Sequence, residues 1–366
     1  MSPKAGSIKI LTTIIGYGIY FPAVLIKEQL LRSGISAELY IVEKLLSPEK
    51  KTTFQNSKNA YKKNFRLAQL AAKLPVVYSS SFDPELVQEI YNKWDCDGGT
   101  EFLIFSGMWF EILAGYQPPS GIKNIRVCRV DTGEAPTWRN KKQVKIDYTY
   151  YLCHLGTKEV RYTFDIPTLP KIPFRDRKRA LMVHGGGWAL GNFVEKTEEI
   201  ELNGYQRNVI IKDLQDYKSD LPHSQFYLND PTWDPLEKDT NHHFPPIGVI
   251  KDNREIDYEY YPTFHASLKL MSEGVGVIAK PGGMTLADSI ISETPIIYLE
   301  PMGPNEEGNR VIIEECGIGT SFEAWKESGF SYDLLLQFHH NLKSLKKNVA
   351  DITSTYIKDL NLTTNT

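Results

Sequence analysis

GVGVIAKPGGMTLADSIISETPIIYLEPMGPNEEGNR, Gly274 to Arg310, decides how the chain is read. An apolar run ends at Lys280, Pro281 to Gly283 make a tight turn, and Thr285 to Ser292 has helical character. A buried strand that turns sharply into a helix leaves unpaired backbone N–H groups and the positive end of the helix dipole above the strand, which suits an anion such as a diphosphate. Asp288 lies one turn into that helix, where its carboxylate can accept hydrogen bonds from sugar hydroxyls. The next strand ends at Glu300, and the loop EPMGPNEEGN offers Asn305, Glu306, Glu307 and Asn309 as a second polar patch. A plain helix start with solvated acids would share this pattern, so a structural role stays open for any single residue.

The same strand-to-glycine-turn pattern occurs twice more, at IKILTTIIGYG (Ile8 to Gly18) and RALMVHGGGWALG (Arg179 to Gly191), each followed by an amphipathic helix pattern. After the first turn, AELYIVEKL completes a strand-helix-strand unit. Further strands are expected at Leu74–Tyr78, Glu101–Phe105 and Asn124–Val130 in the first half. In the second they are expected at Asn208–Lys212, Ile247–Ile250, Val275–Ala279 and Pro295–Leu299. The proline-rich stretch DIPTLPKIPFRDRK, residues 165–178, reads as a linker. The expectation is an α/β protein of two Rossmann-like domains, 1–172 and 173–366, facing across a cleft. A C-terminal helix in residues 334–358 would cross back to the first domain.

Composition narrows the function. With 366 residues the chain is long enough for two domains at about 150 residues each. Lys and Arg total 42 against 45 Asp and Glu, a net charge of −3, so nucleic acid is not an expected partner. Cys96, Cys128, Cys153 and Cys316 form no CxxC pair, which suggests neither a zinc cage nor a disulfide framework. No secretory signal pattern or spanning apolar stretch is visible, and a cytoplasmic protein is expected.

KPGGMTLADSIISETPIIYLEPMGPNEEGN resembles the donor segment of the glycosyltransferases that include diacylglycerol glucosyltransferases, monogalactosyldiacylglycerol synthases and the N-acetylglucosaminyltransferase of peptidoglycan synthesis. The resemblance implies a GT-B fold and a hexosyltransferase working from a UDP-sugar, which is substrate rather than cofactor. It implies that Gly282, Gly283, Met284 and Thr285 face the diphosphate, that Asp288 faces the ribose, and that Asn305, Glu306 and Asn309 face sugar or phosphate. HGGGWALGNF resembles the turn opening the family's second domain, which adds Gly186 and Gly187 to the donor side. GYGIYFPA resembles the family's first loop and implies an acceptor side at Gly16, Tyr17, Gly18 and Ile19. Ile19 stands where that family carries a histidine given an acceptor-side or base role, so the base must lie elsewhere.

Inverting transfer needs a general base on the acceptor and stabilisation of the leaving diphosphate. Asp131 and Glu134 in VDTGEAPTW are the candidates for the base, with Glu111 behind them and His184 beside the second glycine turn. Asp95 and Asp97 read as a turn, and His242 and His243 lack a third ligand at metal spacing, so no metal is expected. Residues 50–82 carry seven basic residues and no acid, and a helical rhythm runs from Ala60 to Leu74. Such a stretch packs as a solvated helix face or, through residues 58–74, makes a peripheral membrane contact. The acceptor is expected to be a small molecule, with a lipid as the alternative. A UDP-sugar epimerase of the same fold and a non-catalytic nucleotide-sugar-binding protein remain the competing readings.

Overall fold

A computed structural model describes residues 6–74, 81–139, 144–187, 189–191, 193–200, 204–236, 243–251 and 253–363. Apart from Leu74, the strand expected at Leu74–Tyr78 lies outside these residues, as does His242. In the first half the elements are β1 (Ile8–Thr12), α1 (Tyr17–Arg32), β2 (Ala37–Ile41), α2 (Pro48–Lys63), α3 (Phe65–Ala71), α4 (Pro84–Asp97), β3 (Glu101–Ile104), α5 (Phe110–Gly115), β4 (Asn124–Arg129) and β5 (Tyr148–Tyr151). All five strands are parallel, in the order β2-β1-β3-β4-β5. Because order reverses between β1 and β3, their carboxyl ends open a crevice.

Three short strands follow, β6 (Cys153–His154), β7 (Glu159–Val160) and β8 (Tyr162–Thr163). The second half then runs β9 (Ala180–His184), α6 (Phe193–Glu198), β10 (Gln206–Ile211), β11 (Ser224–Asn229), β12 (Ile247–Ile250), β13 (Ile256–Glu259), α7 (Ala266–Glu273), β14 (Gly276–Ala279), α8 (Gly283–Ser292), β15 (Ile296–Tyr298), α9 (Pro304–Glu315), β16 (Gly319–Ser321), α10 (Phe322–Glu327), α11 (Tyr332–Lys346), β17 (Ala350–Asp351) and α12 (Ile352–Thr363). Its sheet is ordered β13-β12-β11-β10-β9-β14-β15-β16. The pairing is parallel from β11 to β16, with the antiparallel strands β12 and β13 at one edge. Here order reverses between β9 and β14, so a second crevice faces the first.

The apolar strands of both sheets bury their side chains between helices, and α1 joins the halves. Phe21 and Val24 on α1 share a buried cluster with Met284, Ala287 and Ile291 on α8. Phe164, Ile166 and Leu169 at the start of the linking segment pack in that cluster, while Phe174 belongs to the core around β9 and β10.

Three sequence expectations change. The stretch EPMGPNEEGN is no loop beyond Gly303: Pro304 sits at the first helical position of α9, where its missing N–H costs nothing, and Glu306 and Glu307 occupy the positive first turn. The rhythm from Ala60 to Leu74 is broken at Asn64, which turns extended and caps α3 by accepting from the Leu67 N–H at 3.3 Å. The C-terminal helix is two. The first ends at Lys346, and Asp351 starts α12 by accepting from the Ser354 N–H at 2.7 Å, while β17 pairs with β8. Helix α12 lies on the first half, with Ile352 and Tyr356 in the cluster containing α1, and the Tyr150 hydroxyl donates to Asp359 at 2.6 Å.

Candidate active site

A cavity of about 570 Å³ lies where the two crevices meet. The segment after β1 brings Gly16, Tyr17, Gly18 and Ile19 to its wall. The turn after β9 brings His184, Gly186 and Gly187, and the turn after β14 brings Lys280 with Gly282 to Thr285 and Asp288. Asn305 and Glu306 close it from the first turn of α9. The glycine turns of the two halves touch: a Cβ on Gly187 would sit 2.8 Å from the Tyr17 nitrogen, so only glycine fits there.

Asn309 lies elsewhere. It is fully buried, and its amide is spent on Asp131 at 2.8 Å, the Pro281 carbonyl at 2.9 Å, and the N–H and hydroxyl of Thr132 at 3.0 and 2.9 Å. It pins one half to the other instead of facing sugar or phosphate. Glu134 is exposed and outside the cavity wall, Glu111 lies in the first turn of α5, and Glu307 is tied to Arg310 at 2.6 Å. Asp131 does line the cavity, yet its carboxylate accepts from the Gly283 N–H at 2.8 Å, Asn309 at 2.8 Å and Asn305 at 3.1 Å. In this arrangement its oxygens are committed to N–H donors and are not free to take a proton from an acceptor.

In the sequence Lys280 marks only the end of a strand. It is 7% exposed, and its ammonium donates to the carbonyls of Gly185 at 2.7 Å and Leu190 at 3.4 Å. No carboxylate lies within ion-pairing distance of it among the described residues, although Glu306 is near enough to favour its charge. Burial pulls its pKa down, and burial pushes that of Glu306 up. A buried cation without a direct counter-ion beside a helix N-terminus marks where an anion would be welcomed. A lysine closing an otherwise apolar strand is the sequence signal that could have shown it.

Two histidines complete the second half's wall of the cavity. Burial, reinforced by Lys280 and His265, lowers His184 to about 3, so its ring is neutral at pH 7. Its Nδ1 accepts from the Gly186 N–H at 3.0 Å, which leaves the proton on Nε2 and makes that nitrogen a hydrogen-bond donor, not a base. His265, absent from the sequence reading, stacks on Phe21 and meets Asp288 Oδ1 through Nε2 at 3.0 Å and Ser267 through Nδ1 at 2.6 Å. Burial raises the Asp288 pKa while His265 opposes the rise. With Oδ1 held by His265, Asp288 has its second oxygen for a ligand. Nothing near His265 in sequence signals this, because its partner lies 23 residues on.

The roof comes from the first half. Phe54, Ser57 and Tyr61 of α2 and Ala68 and Ala71 of α3 line the cavity, with Ala72 just beyond. Lys62 reaches Asp216 at 3.2 Å, and Gln69 donates to Glu300 at 2.9 Å and the Pro301 carbonyl at 3.1 Å, so the roof is fastened to the second half. Leu67, Leu70 and Leu74 instead face outward, with Leu70 60% exposed.

No protein-family model and no curated protein matches the chain. Solved structures do. The spinosyn rhamnosyltransferase SpnG superposes with a TM-score of 0.54 at 9% identity, over 97% of this chain and 99% of that one. The glycosyltransferase SsfS6 of Streptomyces sp. SF2575, complexed with thymidine diphosphate, gives 0.54 at 10% identity over 96% and 99%. MurG of Acinetobacter baumannii gives 0.50 at 9% over 98% and 99%. At such identities the shared property is the fold, and the chain has the two-domain, Rossmann-like GT-B architecture of these glycosyltransferases.

Proposed function

We propose that the protein is a glycosyltransferase that moves a sugar from a nucleoside-diphosphate sugar to a small-molecule acceptor, with inversion. The observation that carries this reading is the convergence of anion-seeking groups on one wall of one cavity. The N-terminus of α8, the Lys280 ammonium and the neutral His184 N–H stand together at the reversal point of the second sheet. Such groups stabilise a leaving diphosphate, and Asp288 supplies an acceptor for the ribose. The donor is proposed to be a UDP-sugar on the resemblance of the Lys280 to Asn309 segment. The thymidine diphosphate in the SsfS6 complex makes dTDP the nucleotide to compare.

The acceptor enters from the first half, against Tyr17 and Ile19 and beneath the mostly apolar roof of Phe54, Tyr61, Ala68 and Ala71. Of the two acids considered for the base, Asp131 is the proposed one because it alone reaches the cavity, and it acts once freed from its N–H partners. A peripheral membrane contact is proposed through the outward leucines of α3, flanked by Lys63, Arg66 and Lys73. The test is calorimetric titration with UDP and dTDP, followed by an acceptor screen for release of the diphosphate. Binding of either nucleotide that is weakened in Asp288→Ala supports the donor site. Release of diphosphate only with an acceptor excludes the epimerase, and binding without turnover across a broad panel leaves a nucleotide-sugar-binding protein.

A further inference from the structure

The N-terminus of α8 is already occupied by a carboxylate of the protein itself. Asp131 comes from the segment after β4, on the opposite side of the cleft, and takes the Gly283 N–H at 2.8 Å. Gly283 is the residue that allows this: a Cβ there would lie 2.6 Å from Asp131 Oδ1 and 2.8 Å from the Val130 carbonyl oxygen. Asn305 and Asn309 of α9 complete the cradle at 3.1 and 2.8 Å. Beside it, the buried Lys280 ammonium has carbonyls for its hydrogen-bond partners and no carboxylate in ion-pairing distance among the described residues. Carboxylates and phosphates compete for the same donors at a helix start.

We propose that Asp131 is an internal occupant of the donor's anion site, and that a bound diphosphate displaces it and so breaks the links it makes across the cleft to Gly283, Asn305 and Asn309. This rests on the donor reading of the cavity given above. The same carboxylate therefore sets donor affinity, because part of the binding free energy is spent in breaking its contacts. The same contacts keep Asp131, the proposed base, out of use until the donor is in place.

The experiment compares the full-length wild type with Asp131→Asn and Asn309→Ala, titrated with inorganic pyrophosphate and with UDP. Small-angle scattering of each, with and without ligand, accompanies the titrations. Asp131→Asn removes the charge and keeps the shape, while Asn309→Ala keeps the charge and loosens the cradle. Both variants are expected to bind pyrophosphate about tenfold more tightly than wild type, and pyrophosphate is expected to enlarge the wild-type radius of gyration. Tighter binding by Asp131→Asn with Asn309→Ala unchanged would reduce the effect to ordinary charge repulsion and overturn the proposal. Unchanged or weaker binding by Asp131→Asn would overturn it as well. If pyrophosphate behaves as expected and UDP binds to none of the proteins, displacement stands and the nucleoside reading falls. If neither ligand binds the folded proteins, both fall.

Discussion

Lys280 is a charge placed where burial disfavours it, held by two carbonyls with Glu306 near, and under the proposed function it serves an arriving diphosphate. Replacing it with methionine keeps the stem's volume and removes the ammonium. Loss of a charge-assisted hydrogen bond of about 1.5–3 kcal/mol should weaken UDP or dTDP binding by roughly 10- to 100-fold, read by calorimetry, with the melting temperature preserved or raised. A nucleotide affinity that stays the same would remove Lys280 from the site. His184 makes a prediction in pH. Its folded pKa of about 3 lies below the ordinary 6.5, so the unfolded chain binds the extra proton first as pH falls. The cost of keeping the ring neutral is absent above about pH 6.5, grows through the window and is complete near pH 3. Denaturation at pH 7.5 and pH 5 should show a smaller acid loss in His184→Gln than in wild type. At this scale the sequence pointed to residues that lie on the cavity wall where chemistry and local geometry coincide, as in the glycines at 282 and 283 and in Asp288. Lys280 looked like a strand terminus, and His265 depends on a partner in another element, so neither stood out.

Helix α8 is held at both ends by side chains of opposite sign. Asp131 meets its N-terminus, and Arg177, from the segment between the halves, donates to the Ser292 carbonyl at 2.8 Å and to Thr294 at 2.9 Å near its C-terminus. Each charge matches the local pole of the helix dipole. Arg177→Ala leaves those acceptors unmet and should cost about 1–3 kcal/mol, measured by urea unfolding; a change under about 0.5 kcal/mol, the usual range for surface substitutions, would show that the clasp is incidental. Helix α3 carries a different prediction. Leu70→Glu should cut cosedimentation with vesicles containing anionic phospholipid several-fold and change the unfolding free energy by less than about 0.5 kcal/mol. Retained cosedimentation would dismiss the membrane contact. Strand positions were readable where an apolar run meets turn residues, as at β1, β9 and β14, while β5, β11, β13 and β16 were not anticipated. The break at Asn64 and the new start at Asp351 were not either, because each depends on a capping side chain choosing the local backbone over a continued helix.

The whole molecule is two doubly wound sheets with their carboxyl ends opposed, and that much followed from the repeated strand-to-glycine-turn pattern. The fit between the sheets did not, since Asn309 and Asp131 are 178 residues apart and each alone resembles a surface polar group. Two links carry the chain across: the segment after β8, and the segment between α11 and α12. Tyr356 anchors the second link in the core of the first half, at 1% exposure, and Tyr356→Ala should destabilise the protein by about 3 kcal/mol. Cooperative thermal unfolding at an unchanged midpoint would contradict that role. The two links are also tied to each other, through the β8–β17 pair and the Asp165 N–H donating to Asp351 at 2.8 Å. Wherever the other contacts across the cleft let go, one half is still hung from the other by two adjacent cords stitched together, and such a body is expected to swing like a door on a single pin. Every excursion that parts the cavity walls is then nearly the same excursion, so a single pair of spectroscopic labels across the mouth would follow the full cycle of opening and closing.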